Sequence, residues 1–211
     1  MKEEKNIFIM GDSYSTYKGY IPSGYHFYYS DEREKAPIVK GVEKTWWNIL
    51  SNEKNFKIIL NDSFSGSTIC NTVREALTVE SSFVSRIDKY IAENLFAENK
   101  IDKVFIFGGT NDSWIGSPIG ELKYSDWTAE DLKYVLPAFC YLIDRVKKVV
   151  EDITVIINTG LKEEISNGFI KACKEFEVKY LCLKEIDKEN GHPTEIGMSQ
   201  ISEQVMEFLR Q

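Results

Sequence analysis

Two hydrophobic rhythms alternate along the whole of this chain, and that alternation limits its fold more than any other feature. Short, nearly continuous apolar runs recur at residues 6–10, 56–60, 104–107, 153–158 and 178–183. Between them lie longer segments whose apolar residues repeat every three to four positions. Strand-length runs separated by helical stripes build parallel sheets, because parallel neighbours need a crossover long enough to hold a helix. The runs carry almost no polar alternation, which predicts strands buried on both faces.

The helical stripes fall at 43–51, 83–96, 163–176 and 195–209, with a fifth starting near Thr128. The 83–96 stripe aligns Phe83, Ile87, Tyr90, Ile91 and Leu95, and the last aligns Met198, Ile201, Val205 and Leu209. Thr128 is a good N-cap with Glu130 and Asp131 in the first turn, and its stripe runs through Leu132, Phe139 and Val146 to Val150. Pro137 interrupts that stripe and predicts a kink or break. Residues 14–42 follow neither rhythm. They are rich in Tyr, Gly and Pro and are expected to form an ordered loop insertion, since aromatics are scarce in disordered linkers.

The 211 residues fit one domain spanning 1–211, large enough for a real core. A net charge of −7, without clustered Lys or Arg, argues against nucleic acid and against an anionic membrane surface. No apolar stretch approaches the roughly 20 residues of a membrane span. The opening MKEEKN leads into the first strand without an apolar leader, which implies a cytoplasmic protein or one whose export segment has been removed. Cys70, Cys140, Cys173 and Cys182 lack paired metal spacing and are expected to pack as small hydrophobes. With two histidines, His26 and His192, no zinc site is expected, nor any cofactor.

Chemistry gathers where the strands end. Gly11-Asp12-Ser13 follows the first run, Asn61 to Gly66 the second, and Gly108-Gly109-Thr110-Asn111-Asp112 the third. Each cluster alone reads as a turn, yet all three fall on the sheet edge where parallel α/β folds bind ligands. His192 lies in a short polar segment after the fifth run, in NGHPTEIG. A serine hydroxyl becomes a nucleophile when an imidazole takes its proton, and acyl transfer also needs donors for the developing oxyanion. Ser13, His192, the Gly66 N–H and the Asn111 amide are the residue types that such a reaction requires.

The ordered series GDS at 11–13, SFSGS around Gly66, GGTND at 108–112 and GHPT at 191–194 resembles the SGNH (GDSL-type) hydrolase superfamily. The resemblance implies a three-layer α/β/α flavodoxin-like domain with a five-stranded parallel sheet, and metal-independent serine hydrolysis of esters. By matching position it implies Ser13 as nucleophile and His192 as general base. It also implies an oxyanion hole made of the Ser13 N–H, the Gly66 N–H and the Asn111 side chain. Asp12 is expected to support the turn. The family usually places an Asp three residues before the His; here that position is Glu189, and Asp187 lies five before. Asp187, Glu189 or a backbone carbonyl is then left to orient the imidazole, with Asp187 slightly favoured by its place at a strand end.

Aromatic residues crowd the expected pocket walls, among them Tyr14, Tyr28 and Trp114, whereas Trp46 and Trp47 are expected to pack a helix on the sheet. Aromatic faces with polar tips suit sugar rings and small acyl groups, so a small acyl group on a carbohydrate is the expected substrate. Alternatives are a lipase- or thioesterase-like acylhydrolase and a non-catalytic carbohydrate-binding protein on the same scaffold. Two further readings remain: a phosphoesterase binding a divalent cation through Asp12, Asp62 and Asp112, and a flavodoxin-like nucleotide binder, which lacks a Gly-rich cradle. Arg86, within a helical stripe, reads as a surface or ion-pair residue.

Overall fold

A computed structural model describes residues 4–211. Residues 1–3, part of the charged lead into the first strand, lie outside the described residues. The apolar runs become strands β1 (Lys5–Gly11), β2 (Phe56–Ser63), β3 (Lys103–Phe107), β4 (Asp152–Ile157) and β5 (Lys179–Cys182). They form one five-stranded sheet in the order β2-β1-β3-β4-β5, with every neighbouring pair parallel.

Burial on both faces explains the continuous apolar runs. Phe8 and Met10 of β1, with Val104 and Ile106 of β3, point into one core. Ile7, Ile9, Phe105 and Phe107 point into the other. Successive side chains leave opposite faces of a strand, so a residue run apolar at every position must be covered twice. Helices α2 (Phe83–Ala92), α5 (Val135–Lys147) and α6 (Glu163–Glu175) cover the first face, joined by the short α3 (Leu95–Glu98). Helices α1 (Trp46–Lys54) and α7 (Glu195–Phe208) cover the second. Phe139 and Phe169 stack at 3.7 Å where α5 meets α6. Cys70, Cys140 and Cys173 are buried and Cys182 half-buried, all four as free thiols.

Three helical expectations need correction. The 83–96 stripe is two helices, because Asn94 takes a left-handed conformation (φ 55°) between α2 and α3, which Asn tolerates. Thr128 caps only a single turn: it exchanges bonds with Asp131, after which the chain extends at Tyr134. Helix α5 therefore begins at Val135, and Pro137 neither kinks nor breaks it. Proline sits in the first turn, where the missing N–H has no intrahelical partner to lose. A short helix, α4 (Thr110–Ile115), follows β3 where the sequence suggested only a turn.

Chain order reverses at β1, with β2 on one side and β3 on the other. A crevice opens at such a switch point. Ser13, Gly66 and Asn111 follow the three strands that meet there.

Candidate active site

The nucleophile candidate sits on a tight, heavily tied turn. Beyond β1 the chain enters one 3-10 turn, Ser13–Ser15, capped by Asp12, whose Oδ1 accepts from the Tyr14 N–H at 3.0 Å. Gly11 is required just before it, because a Cβ there would stand 2.5 Å from Ser63 Oγ and 2.7 Å from Ser15 Cβ. The turn is also held from α1. The Trp46 indole donates to Ser15 Oγ at 3.1 Å and the Trp47 indole to the Ser15 carbonyl at 2.8 Å. Both tryptophans pack as expected, and in packing they fix the residue two positions after Ser13.

His192 is delivered by a hairpin. β6 (Lys188–Glu189) and β7 (His192–Pro193) pair antiparallel across Asn190-Gly191. Both turn residues have positive φ (49° and 77°), as a type I′ turn demands and Asn-Gly supplies. The hairpin sets His192 Nε2 3.0 Å from Ser13 Oγ. On the other side of the ring, Nδ1 lies 3.2 Å from the Asn190 carbonyl. A carbonyl only accepts, so Nδ1 carries the proton and Nε2 presents its lone pair to the serine hydroxyl.

The carboxylate expected at Nδ1 is not there. Asp187 accepts the Thr194 hydroxyl instead, while its N–H donates to Gln200 at 2.7 Å and its carbonyl accepts from the Thr194 N–H at 3.1 Å. Those bonds bind it to the N-terminus of α7. Glu189 faces His192 across the hairpin but is exposed and makes no hydrogen bond to it. Of the three orienting groups open in the sequence, the structure brings the backbone carbonyl to the imidazole.

Aromatic rings enclose His192. Tyr28 stacks on it at 3.5 Å and 9°, and the Arg33 guanidinium lies 3.9 Å from the centre of the Tyr28 ring. Tyr14 packs 5.5 Å away and donates its hydroxyl to the Gly191 carbonyl, pinning the hairpin tip. Trp114, carried by α4, meets the imidazole edge-on at 5.3 Å and remains 44% exposed, which makes it the ring at the solvent side. Burial pushes the His192 pKa down to about 4; the Asn190 bond opposes this, while the charges of Arg33, Arg74 and Lys188 add to it. Burial likewise lowers Lys188 to about 8.

Gly66 has φ +89°, a conformation costly for any residue with a Cβ. Its loop folds back on β1 through Phe64 N–H to the Gly11 carbonyl at 3.1 Å. Asn111, in α4, donates one amide hydrogen to the Ser67 carbonyl at 2.9 Å, which leaves the second free beside the same loop. Asn111 and the Gly66 loop are thus brought together.

The three aspartates suggested as a cation site each hold a different part of the scaffold. Asp112 accepts from the Ile69 and Cys70 N–H groups, Asp62 accepts from Arg86 and Tyr90, and Asp12 caps the Ser13 turn. Burial pushes their carboxyls up, Asp12 to about 7 and the other two to about 6, with Arg86 opposing the rise at Asp62. Among the described residues no group of three or more His, Cys, Asp or Glu side chains is placed to hold a metal ion.

Sequence reasoning missed the place of Arg86. It is 1% exposed, and its guanidinium donates to Asp62 Oδ2 at 2.5 Å, Gly11 O at 3.2 Å, Ser67 Oγ at 3.3 Å and Ser81 O at 3.0 Å. One residue thereby ties the ends of β1 and β2 to the Gly66 loop. Its only signal in the sequence was a charge on the apolar side of a helix, one position before Ile87.

A family model for GDSL-like lipases/acylhydrolases matches residues 5–209. The chain belongs to the GDSL-like lipase/acylhydrolase family. It is a hydrolase acting on ester bonds. A GDSL-like lipase-family protein from Bacteroides ovatus is 39% identical over 99% of both chains, with a TM-score of 0.90. Another, from Bacteroides uniformis, is 37% identical over 98% of this chain and 96% of that one, with a TM-score of 0.89. A carbohydrate esterase described as having divergent catalytic and non-catalytic binding functions shares the fold at 15% identity and a TM-score of 0.63, covering 100% of this chain and 70% of its own. None of the curated proteins compared with the chain matches it.

Proposed function

We propose that this GDSL-family hydrolase is a serine esterase working through a Ser13–His192 dyad on small acyl esters. The observation that carries the reading is the 3.0 Å contact between Ser13 Oγ and His192 Nε2, with Nδ1 committed to the Asn190 carbonyl. In that tautomer His192 takes the hydroxyl proton as Oγ attacks the ester carbonyl, then returns it to the leaving alkoxide. Water repeats the sequence to release the acyl group. The free amide hydrogen of Asn111 and the Gly66 and Ser13 N–H groups are the donors for the oxyanion. The half-exposed Trp114 beside the imidazole favours a sugar ring as the leaving group, since aromatic faces hold apolar ring faces while leaving polar tips wet.

A fluorophosphonate, which reacts only with an activated serine, tests the chemistry. One adduct is expected by intact mass, absent from Ser13→Ala. A folded protein with no adduct overturns the reading and favours a binding protein on this scaffold, an alternative supported by the missing carboxylate at Nδ1.

The dyad makes a second prediction. Asp187→Asn keeps an oxygen for the Thr194 hydroxyl, so kcat/KM should stay within about threefold of the parent, whereas losing a group that orients the base costs orders of magnitude. A hundredfold loss would restore Asp187 to the catalytic machinery.

A further inference from the structure

Three cationic side chains bear on His192, and two of them are satisfied. Arg33 donates to the Tyr28 and Pro37 carbonyls at 3.2 and 3.0 Å. Lys188 donates to Asn158 Oδ1, Thr159 O and Thr159 Oγ1 at 3.0, 3.1 and 2.7 Å. Arg74 is different. Among the described residues no hydrogen bond or salt bridge involves its side chain, and its Nε is buried without a partner.

Its position is built rather than incidental. The loop that carries it is anchored by Asn71 N–H to the Leu132 carbonyl and Thr72 Oγ1 to the Lys133 carbonyl, both at 2.8 Å, and closed by Leu77 N–H to the Arg74 carbonyl at 2.9 Å. The Arg74 stem crosses Gly66: its Cδ lies 3.6 Å from where a Cβ on that glycine would stand. The stem thus sets Arg74 beside the Gly66 peptide, and its positive charge bears on His192.

The buried acids on this edge have other work. Asp62 holds Arg86, Asp112 holds the Ile69 and Cys70 peptides, Asp12 caps the Ser13 turn, and exposed Glu189 lies on the hairpin near Tyr28. A donor withheld from water and left unpaired costs stability. The chain also has an overall charge of −7, so this cluster of positive charge opposes the protein's general field. A guanidinium is a planar fork that matches a carboxylate with two parallel hydrogen bonds.

We propose that Arg74 receives an anionic group, such as a carboxylate, carried by the ester itself, so that the preferred substrates are acid-bearing esters. The inference rests on the esterase reading and narrows its substrate class.

The test compares a neutral ester, p-nitrophenyl acetate, with two acids: mono-p-nitrophenyl succinate, charged on the acyl side, and p-acetoxybenzoate, charged on the alcohol side. The native protein should prefer at least one acid by roughly tenfold or more in kcat/KM, the range of a hydrogen bond to a charged group. Raising ionic strength from about 0.05 to 0.5 M should shrink that preference. Arg74→Met keeps the stem over Gly66 and should erase the preference through KM. Arg74→Lys, which keeps the charge without the fork, should retain part of it. A preference unchanged in Arg74→Met overturns the proposal, as does an equal kcat loss on all three esters, which would make Arg74 an oxyanion donor. Succinate binding by calorimetry separates the two readings. With no turnover and no fluorophosphonate adduct, binding that needs Arg74 overturns the esterase and leaves the anion site standing. Binding that ignores Arg74 overturns the anion site even where esters are hydrolysed.

Discussion

Replacing His192 with Ala should lower kcat on p-nitrophenyl acetate by roughly 10²–10⁴-fold, the usual contribution of a positioned general base. KM should change little, because the ring meets the serine hydroxyl rather than the body of the substrate. The loss follows from a hydroxyl with one place to send its proton: Ser13 Oγ is buried, and His192 Nε2 at 3.0 Å is the base beside it. The pH profile makes the same prediction sharper. Only the neutral imidazole accepts a proton, and burial holds that form down to about pH 4. In the native enzyme kcat/KM should therefore stay level from about pH 8 to about pH 5 and fall below that, with its inflection near the folded His192 pKa. The residual activity of His192→Ala should lack this limb. A variant within threefold of the parent, or a native inflection near pH 6.5, would sink the mechanism.

That acidic inflection departs from the near-neutral one a histidine suggests by its ordinary pKa. The difference lies in what no local motif records. The ring is stacked under Tyr28, flanked by Tyr14 and Trp114, faces three cations and rests on a carbonyl instead of a carboxylate. A carbonyl fixes the tautomer but stabilises the imidazolium less than a negative charge does. In the proposed dyad, basic strength would be exchanged for a base that stays neutral down to about pH 4.

The layers and the strand ends were legible in the sequence because both are local. Two-sided burial writes itself as an unbroken apolar run such as IFIM, and the small polar cluster after each of the first three runs marks the crevice edge. The hairpin that carries His192 leaves only the Asn190-Gly191 turn in the sequence, because its two-residue strands are too short to show an alternating pattern. What failed depended on tertiary context. Pro137 looked like a break because the stripe around it continues, yet the helix starts only two residues earlier. Asp187, slightly favoured for its place at a strand end, has a neighbour the sequence does not announce: its carboxylate accepts the Thr194 hydroxyl at the cap of α7, and its catalytic part rests with the Asp187→Asn test. Arg86 read as a surface or ion-pair residue, and only the packed structure shows it buried in an ion pair with Asp62 and enclosed by further acceptors.

Arg86→Met should be the most destabilising single change outside the hydrophobic core. Methionine fills much of the same channel, so the cost comes from charge and donors rather than from volume. Asp62 would remain fully buried without its counterion, and the Gly11, Asp62 and Ser81 carbonyls would lose a donor each. Breaking a buried pair from one side costs roughly 3–5 kcal/mol. For a chain of this length that corresponds to a fall in Tm of about 6–20 °C. Arg86→Lys should recover only part of the loss, since one ammonium cannot reach the five acceptor groups that the guanidinium now spans. The Asp62 carboxyl, already pushed up by burial, rises further once Arg86 is gone. Arg86→Met should therefore regain stability as pH falls: a carboxyl whose folded pKa lies above its unfolded value favours the native state at pH values below that folded pKa. Thermal melts at about pH 8 and about pH 5 would show this as a smaller deficit at the lower pH. A variant that melts within about a degree of the parent at both values would mean that the pair contributes nothing to folding. The grip of Arg86 on the Ser13 and Gly66 turns would then have to be sought in kcat alone.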